Sequence, residues 1–546
     1  MQLESFLERT AWRYPQKAAL ICGRSRWSYA MLEQTANRLA HALVARGFQR
    51  GDRTVIWLGN TAEAVISLFA TLKAGGVFVM VNPTTKPDKL VYLLNNCRAR
   101  AMVLPASRQS FLQARRQELP HLELALLAGP PAPVPPAEPA ARPTAVGVED
   151  LLAEFHDHTQ PPAKRTIDID LAALIYTSGS TGHPKGVMLT HANMVAAATS
   201  ITTYLENTPE DIILNVLPLS FDYGLYQVLM ATLFGGTVVL EQSFTYPHAV
   251  LTAAVRHRVT GFPLVPTLSA ILLDMDLSAY DLSQLRYVTN TGAALPTEHI
   301  LQLRRRLPHV RIYSMYGLTE CKRVAYLPPE QIDFRPDSVG QAMPNVEVYL
   351  VDDDGRRLGP GSVGELVVRG SNVMRGYWEL PEETDRVLRP GPLPGERVLY
   401  TGDLFRMDEE GFLYFLGRKD DIIKSRGEKV SPKEVEGVLY RHPRIAEAAV
   451  VGIPDQVLGE AVVAFVAPKA GCDLDRQEVL RHCARHLEDF MVPRAVHVMD
   501  RLPKTDNGKI DKKRLAATAR QTLPAPAGTP PTGPAAASPT SPGATP

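Results

Sequence analysis

No stretch of the sequence comes near the about 18 consecutive apolar residues that a membrane-spanning helix needs, so no membrane span is expected. Excess charge of either sign is missing too: 59 Lys and Arg stand against 58 Asp and Glu, a formal net charge of +1. That balance gives no electrostatic reason to bind nucleic acid or an anionic membrane surface, and neither partner is expected. Cysteine is scarce. Cys22, Cys97, Cys321, Cys472 and Cys483 are scattered, odd in number and without paired ligand spacing, which excludes a disulfide framework or zinc module and favours a reducing compartment. The first residues, MQLESFLERTAWRYP, mix acids with apolar residues and lack the pattern of a cleaved leader, so a cytoplasmic location is expected. Two segments lack the means to form ordered elements. Residues 129–144 are too rich in proline for a helix or central strand and read as a surface excursion. Residues 516–546 read as a disordered Pro/Ala-rich tail, in which Leu523 onward carries no charged side chain.

What remains has the composition of a globular protein, with 45% apolar and 21% charged residues. At 546 residues it is long enough for several domains. Leu32, Leu39 and Leu43 recur at helical spacing before Gly47. Asp52 to Leu58 reads as a strand, Ala62 to Lys73 as a helix and Val77 to Val81 as a buried strand. Alternation of this kind predicts an α/β fold with a parallel sheet covered by helices. From about Gly340 the pattern changes to short strands and turns. Asp352, Asp353 and Asp354 there read as a solvated turn, since the further ligands of a calcium loop are missing.

The most informative stretch is YTSGSTGHPKGV, Tyr176 to Val187. The apolar run Ala172 to Tyr176 predicts a strand that feeds six hydroxyl or glycine residues, Thr177, Ser178, Gly179, Ser180, Thr181 and Gly182, followed closely by Lys185. Glycine backbone can turn its N–H groups around an anion, and the hydroxyls and a lysine add donors, so a polyphosphate is the expected ligand. The Walker spacing is excluded, because Pro184 precedes Lys185 and Gly186 follows it. A plain Gly/Ser linker is the competing reading, though it would have to lie between two apolar stretches.

Further motifs follow in order. Thr291-Gly-Ala-Ala-Leu-Pro296 is a small-residue turn after the predicted strand Arg286 to Asn290; Tyr316-Gly-Leu-Thr-Glu320 follows another at Arg311; then come Tyr400-Thr-Gly-Asp403, Gly417-Arg-Lys-Asp-Asp421 and Leu502-Pro-Lys-Thr-Asp-Asn-Gly-Lys-Ile510. Together with the Thr177–Lys185 loop this set resembles the adenylate-forming superfamily, which includes acyl-CoA synthetases and the adenylation domains of nonribosomal peptide synthetases. The resemblance covers about residues 1–515.

That resemblance implies a large multi-subdomain N-terminal AMP-binding domain (residues 1–418) and a small mobile α+β C-terminal domain (419–515). It implies ATP bound by residues 177–182, Lys185, Gly292, Ala293, Ala294, Tyr316, Gly317, Thr319, Asp403, Arg418 and Lys509, with Lys509, Lys185 and Thr319 as the catalytic set. Glu320 would hold Mg²⁺, Asp420 would be the hinge and Gly427 would face the thiol acceptor. Phe221, Asp222, Tyr223, Asn290 and Gly317 would line the pocket of a small-molecule carboxylic acid. The implied chemistry is activation of that acid to an acyl-adenylate, then transfer to coenzyme A or to the phosphopantetheine of an acyl or peptidyl carrier protein. Two readings of Asp222 stay open. It is the anchor for an amino acid's ammonium group, which would make the chain a stand-alone amino-acid activating enzyme, or it caps the following helix while an apolar acid fills the pocket. A nucleotide-binding protein without turnover would have lost Lys509, Glu320 or Asp403, and all three are present.

Overall fold

The computed structural model describes residues 1–130, 143–177, 184–293, 295–425, 428–455, 458–505 and 508–522. The chain divides into two compact units. The larger comprises Met1–Asp420 with Lys504–Ile510, and the smaller comprises Asp421–Pro503 with the residues from Asp511 onward. The segment carrying Lys509 therefore belongs by packing to the large unit, although its sequence position lies within the expected small domain.

Among the described residues the large unit is built on three sheets. In the first, the parallel strands Val77–Met80, Arg53–Ile56, Ala101–Pro105 and Leu124–Ala128 lie inside an eight-stranded sheet, and Leu171–Thr177 joins it beside Val77–Met80. The second has nine strands, with Tyr287–Asn290 and Arg311–Tyr316 running parallel near one end. The third is antiparallel and contains Val346–Val351, Val363–Gly370, Arg397–Met407 and Leu413–Arg418. Inner strands of the first two sheets are buried on both faces, which is why they read as unbroken apolar runs such as VFVM, all four residues buried.

The helices begin where short polar side chains can take up free N–H groups. Ser28 caps Tyr29–Ala45 by accepting from the Met31 N–H, and Thr61 caps Ala62–Lys73 by accepting from Ala64. Leu32, Leu39 and Leu43 of the first are buried, as their spacing predicted. Thr190 and Asn193 form a reciprocal capping box at the head of His191–Tyr204.

In the small unit, helices Pro432–Tyr440, Arg476–Ala484 and Lys512–Thr522 accompany a sheet containing Ile445–Asp455 and Gly459–Pro468. The last helix corrects one expectation: residues 516–522, assigned to a disordered tail, are helical. KKRLAATARQT is rich in good helix formers, and Leu515 and Ala519, four apart on one face, are fully buried. The remainder of that expected tail, from Leu523, and residues 131–142 of the proline-rich stretch lie outside the described residues. The triple aspartate is a turn: Asp352 accepts from the backbone N–H groups of Asp354 and Arg356. All five cysteines are free, and no described helix is long and apolar enough to cross a membrane.

Candidate active site

Strands Leu171–Thr177 and Lys185–Thr190 pair antiparallel, and their register sets Thr177 opposite Lys185. The hydroxyl- and glycine-rich segment is thus the connection of a β-hairpin with a lysine at its closing pair. Ser178, Gly179, Ser180, Thr181 and Gly182 themselves lie outside the described residues, as do Ala294 and Gly427. Lys185 Nζ is held 2.6 Å from Glu383 Oε2 and lies 5.4 Å from the Tyr377 ring centre. The lysine's hydrogen bond holds the Glu383 carboxyl below its ordinary range.

A second group forms where the antiparallel sheet approaches the end of strand Arg311–Tyr316. Pairing of Arg397–Met407 with Leu413–Arg418 sets Asp403 directly opposite Arg418, and Arg418 Nε lies 3.4 Å from Asp403 Oδ1. The Tyr316 hydroxyl donates to Asp403 Oδ2, and its ring stacks on Phe415 and meets Phe405 edge-on. Burial pushes the Tyr316 phenol well above its ordinary pKa, so it remains a donor. Glu320, four residues on, accepts from the Tyr377 hydroxyl at 2.8 Å. Thr319 lies between them in the loop.

Gly317 has a steric reason to be glycine. A Cβ there would lie 2.2 Å from the Lys322 carbonyl oxygen and 2.9 Å from Arg323 Cα, both backbone atoms. Gly292, at φ +84°, leads with Ala293 out of strand Tyr287–Asn290; a Cβ on it would lie 3.0 Å from Phe221 Cζ and 3.6 Å from Lys509 Cε. Lys509 Nζ is 5.7 Å from the centre of the Phe221 ring. The lysine remains solvent-exposed but is crowded by protein atoms. Desolvation pulls its pKa below that of an ordinary lysine, opposed by the carboxylates of Asp222, Glu320 and Asp403 and reinforced by Arg418.

Asp222 does not cap its helix. The helix runs Asp222–Phe234 with Phe221 at the N-cap position and no side-chain cap bond. The Asp222 carboxylate instead lies 3.5 Å from Lys322 Nζ; the lysine side chain is buried and the carboxylate is about one-tenth exposed. Lys322 also lies 4.4 Å from the centre of the Tyr226 ring. Desolvation lowers its pKa to about 7, with Asp222 opposing the shift. Removing either partner would strand the other's charge, at a cost of about 3–5 kcal/mol. The other expected pocket residues are close by: the Tyr223 hydroxyl bonds Thr289 at 2.6 Å, and Asn290 donates to the Leu264 carbonyl.

The family model described as AMP-binding enzyme matches residues 7–378, and that of the AMP-binding enzyme C-terminal domain matches residues 434–509. The chain belongs to the AMP-binding enzyme family. It is an enzyme of the AMP-forming acid–thiol ligase type. A long-chain-fatty-acid–CoA ligase of Bacillus subtilis (strain 168) is 33% identical over 534 residues, with 94% of each chain covered. Tyrocidine synthase 2 of Brevibacillus parabrevis is 31% identical over 97% of this chain and 14% of its own length. Among solved structures, the anthranilate CoA ligase AuaEII in complex with anthranoyl-AMP superimposes with a TM-score of 0.85 at 27% identity, covering 95% of this chain and 97% of that one.

Sequence reasoning about this AMP-binding enzyme missed four residues around the site: Glu383, Tyr377, Lys322 and Arg323. The last two carried a signal. Two adjacent cations one residue after the Tyr316–Glu320 motif, inside the otherwise apolar CKRVAYL, have no place on a solvated face.

Proposed function

We propose that the chain activates a fatty or other apolar carboxylic acid with ATP and transfers it to coenzyme A. In the first half-reaction an acid oxygen bonds to the α-phosphorus of ATP and pyrophosphate leaves. In the second, a thiol attacks the acyl carbon and AMP leaves. The observation that carries the choice of acid is the Asp222–Lys322 pair: the carboxylate that would anchor an amino acid's ammonium already has an ammonium partner from the protein itself. The fatty-acid–CoA ligase among the relatives supports the same choice.

The geometry supports the following roles. Thr177 and Lys185 close the phosphate-binding hairpin, and a phosphate oxygen takes the place beside Lys185 that the Glu383 carboxylate holds here. Asp403, facing Arg418, takes the ribose hydroxyls, because a carboxylate accepts two hydrogen bonds from a diol. Tyr316, Gly317, Gly292 and Ala293 border the nucleotide, and Thr319 adds a hydroxyl near the phosphates. Lys509 offsets the charge that develops as the acid meets the α-phosphate. Asp420 serves as the hinge, and the division between the two units falls after it.

No group of three or more His, Cys, Asp or Glu able to hold a metal occurs among the described residues. A single carboxylate suits Mg²⁺, which commonly takes one or two protein carboxylates and fills its other positions with phosphate oxygens and water, and Glu320 would hold it. When bound, the ion supplies charge neutralisation on the phosphates.

Two measurements test this reading. With coenzyme A omitted, pyrophosphate release from MgATP should appear with fatty or aryl acids and stay at background with amino acids; adding coenzyme A should yield the acyl thioester and AMP. Release with amino acids and no CoA product would overturn it in favour of a carrier-protein enzyme. Asp403→Asn should raise KM for ATP about 10- to 100-fold, the range expected for hydrogen bonds to a charged acceptor, with kcat less affected. An unchanged KM would remove Asp403 from the ribose site.

A further inference from the structure

The Asp222–Lys322 pair has a neighbour whose charge it does not balance. Arg323 is 1% exposed; its guanidinium donates a hydrogen bond to the Tyr204 hydroxyl, while its Nε and Nη1 are buried with no hydrogen-bond partner among the described residues. Its guanidinium carbon lies 5.4 Å from the centre of the Tyr223 ring, Tyr223 meets Phe221 edge-on, and the Phe221 ring centre lies 5.7 Å from Lys509 Nζ. Lys322 adds a second buried cation, and Asp222 is its ion-pair partner. The backbone here is held under strain: Lys322 sits at φ +64°, a region few residues other than glycine adopt.

Leaving two buried N–H donors of a charged group without an acceptor is costly, and each such group calls for an explanation, of which a partner that arrives with the ligand is one. Lysine and arginine cannot satisfy one another, because neither offers an acceptor. An aliphatic chain could not satisfy Arg323 either. An ammonium group would be repelled by both cations.

We infer that Arg323, with Lys322 beside it, binds a second acceptor oxygen on the acid, so that the substrate is a carboxylic acid whose apolar body bears a further carboxylate, ketone or hydroxyl group. This rests on the reading of the chain as an acid-activating ligase and narrows its acid. A site built to hydrogen-bond a substrate group discriminates strongly against the analogue lacking it, because the site's own donors are then left unpaired.

The test compares matched acids in the pyrophosphate-release assay with the full-length enzyme. Each plain fatty or aryl acid is paired with its ω-carboxy, oxo and hydroxy derivatives, the substituent being moved along the chain. The wild-type enzyme should favour the best acceptor-bearing acid over its plain parent by at least about tenfold in kcat/KM. Arg323→Met should bring that ratio near one by losing activity on the substituted acid while keeping it on the plain one. If Arg323→Met fails to fold, Arg323→Lys, which keeps the charge but loses the guanidinium fork, should reduce the same ratio. Wild-type preference for the plain acids, or a ratio that survives Arg323→Met, overturns the inference while leaving the ligase reading intact. No pyrophosphate release with any acid overturns the ligase reading and this inference with it.

Discussion

Lys509→Ala is expected to slow adenylate formation by about 10²–10³-fold, the loss typical when one preorganised group that stabilises developing charge is removed. Lys509 Cε approaches within 3.6 Å of the position a Cβ on Gly292 would occupy, and its Nζ lies 5.7 Å from the centre of the Phe221 ring, so the cation stands beside both the small-residue turn and Phe221. Isotope exchange between pyrophosphate and ATP reads the half-reaction directly, and an undiminished exchange rate would take Lys509 out of it. The same residue gives a pH dependence with a definite sign. Its pKa is lowered in the nucleotide-free protein, so the cation is complete at low pH and is lost as pH rises through a value below the about 10.4 of an ordinary lysine. The profile of kcat/KM for ATP, which reports the free enzyme, should fall on its alkaline side earlier than an ordinary lysine would dictate. Lys509→Arg keeps the charge at all working pH and should move that limb upward, even if its different shape lowers the maximum.

Much of this arrangement could be read from the chain because it depends on local pattern. The helix Ala62–Lys73 has the bounds that periodicity predicted, and the short strands expected after Gly340 are there, Val346–Val351 the first long one. Asp403 and Arg418 could be named as site residues, yet what joins them is strand register, which no spacing along the chain reveals. Asp222 shows the limit most clearly. Its two sequence readings were a helix cap and an anchor for an external ammonium; the residue that decides the matter, Lys322, is 100 positions away and comes from the loop after a strand of the same sheet system. Glu383 reaches Lys185 across 198 positions for the same reason. Contacts of that kind are fixed by topology, and composition is silent about them. The helix Lys512–Thr522 failed differently: alanine and the nearby proline-rich tail masked a good helical segment whose buried face is only Leu515 and Ala519.

Gly317→Ala should abolish most activity without touching a reacting group. Its Cβ would be placed 2.2 Å from the Lys322 carbonyl oxygen, far inside contact distance, and the obstructing atoms are backbone, so no side-chain rotation can relieve the clash. Either strand Arg311–Tyr316 or the turn at Lys322 must move. The first carries Tyr316 and leads to Thr319 and Glu320; the second carries the cation paired with Asp222. Overpacking of this kind costs about 1–3 kcal/mol, and a displacement of about 1 Å in a reacting constellation costs on the order of 10²-fold in rate. Thermal unfolding should therefore show a drop of a few degrees, while pyrophosphate release falls about a hundredfold. Gly359→Ala supplies the control, since a Cβ at Gly359 meets nothing within 4 Å and should leave both readouts unchanged. If Gly317→Ala lost stability but kept its rate, the close approach would be a packing feature only. If it kept both, the backbone at Lys322 would have to yield freely, and the buried pair with Asp222 could not be holding that turn in place.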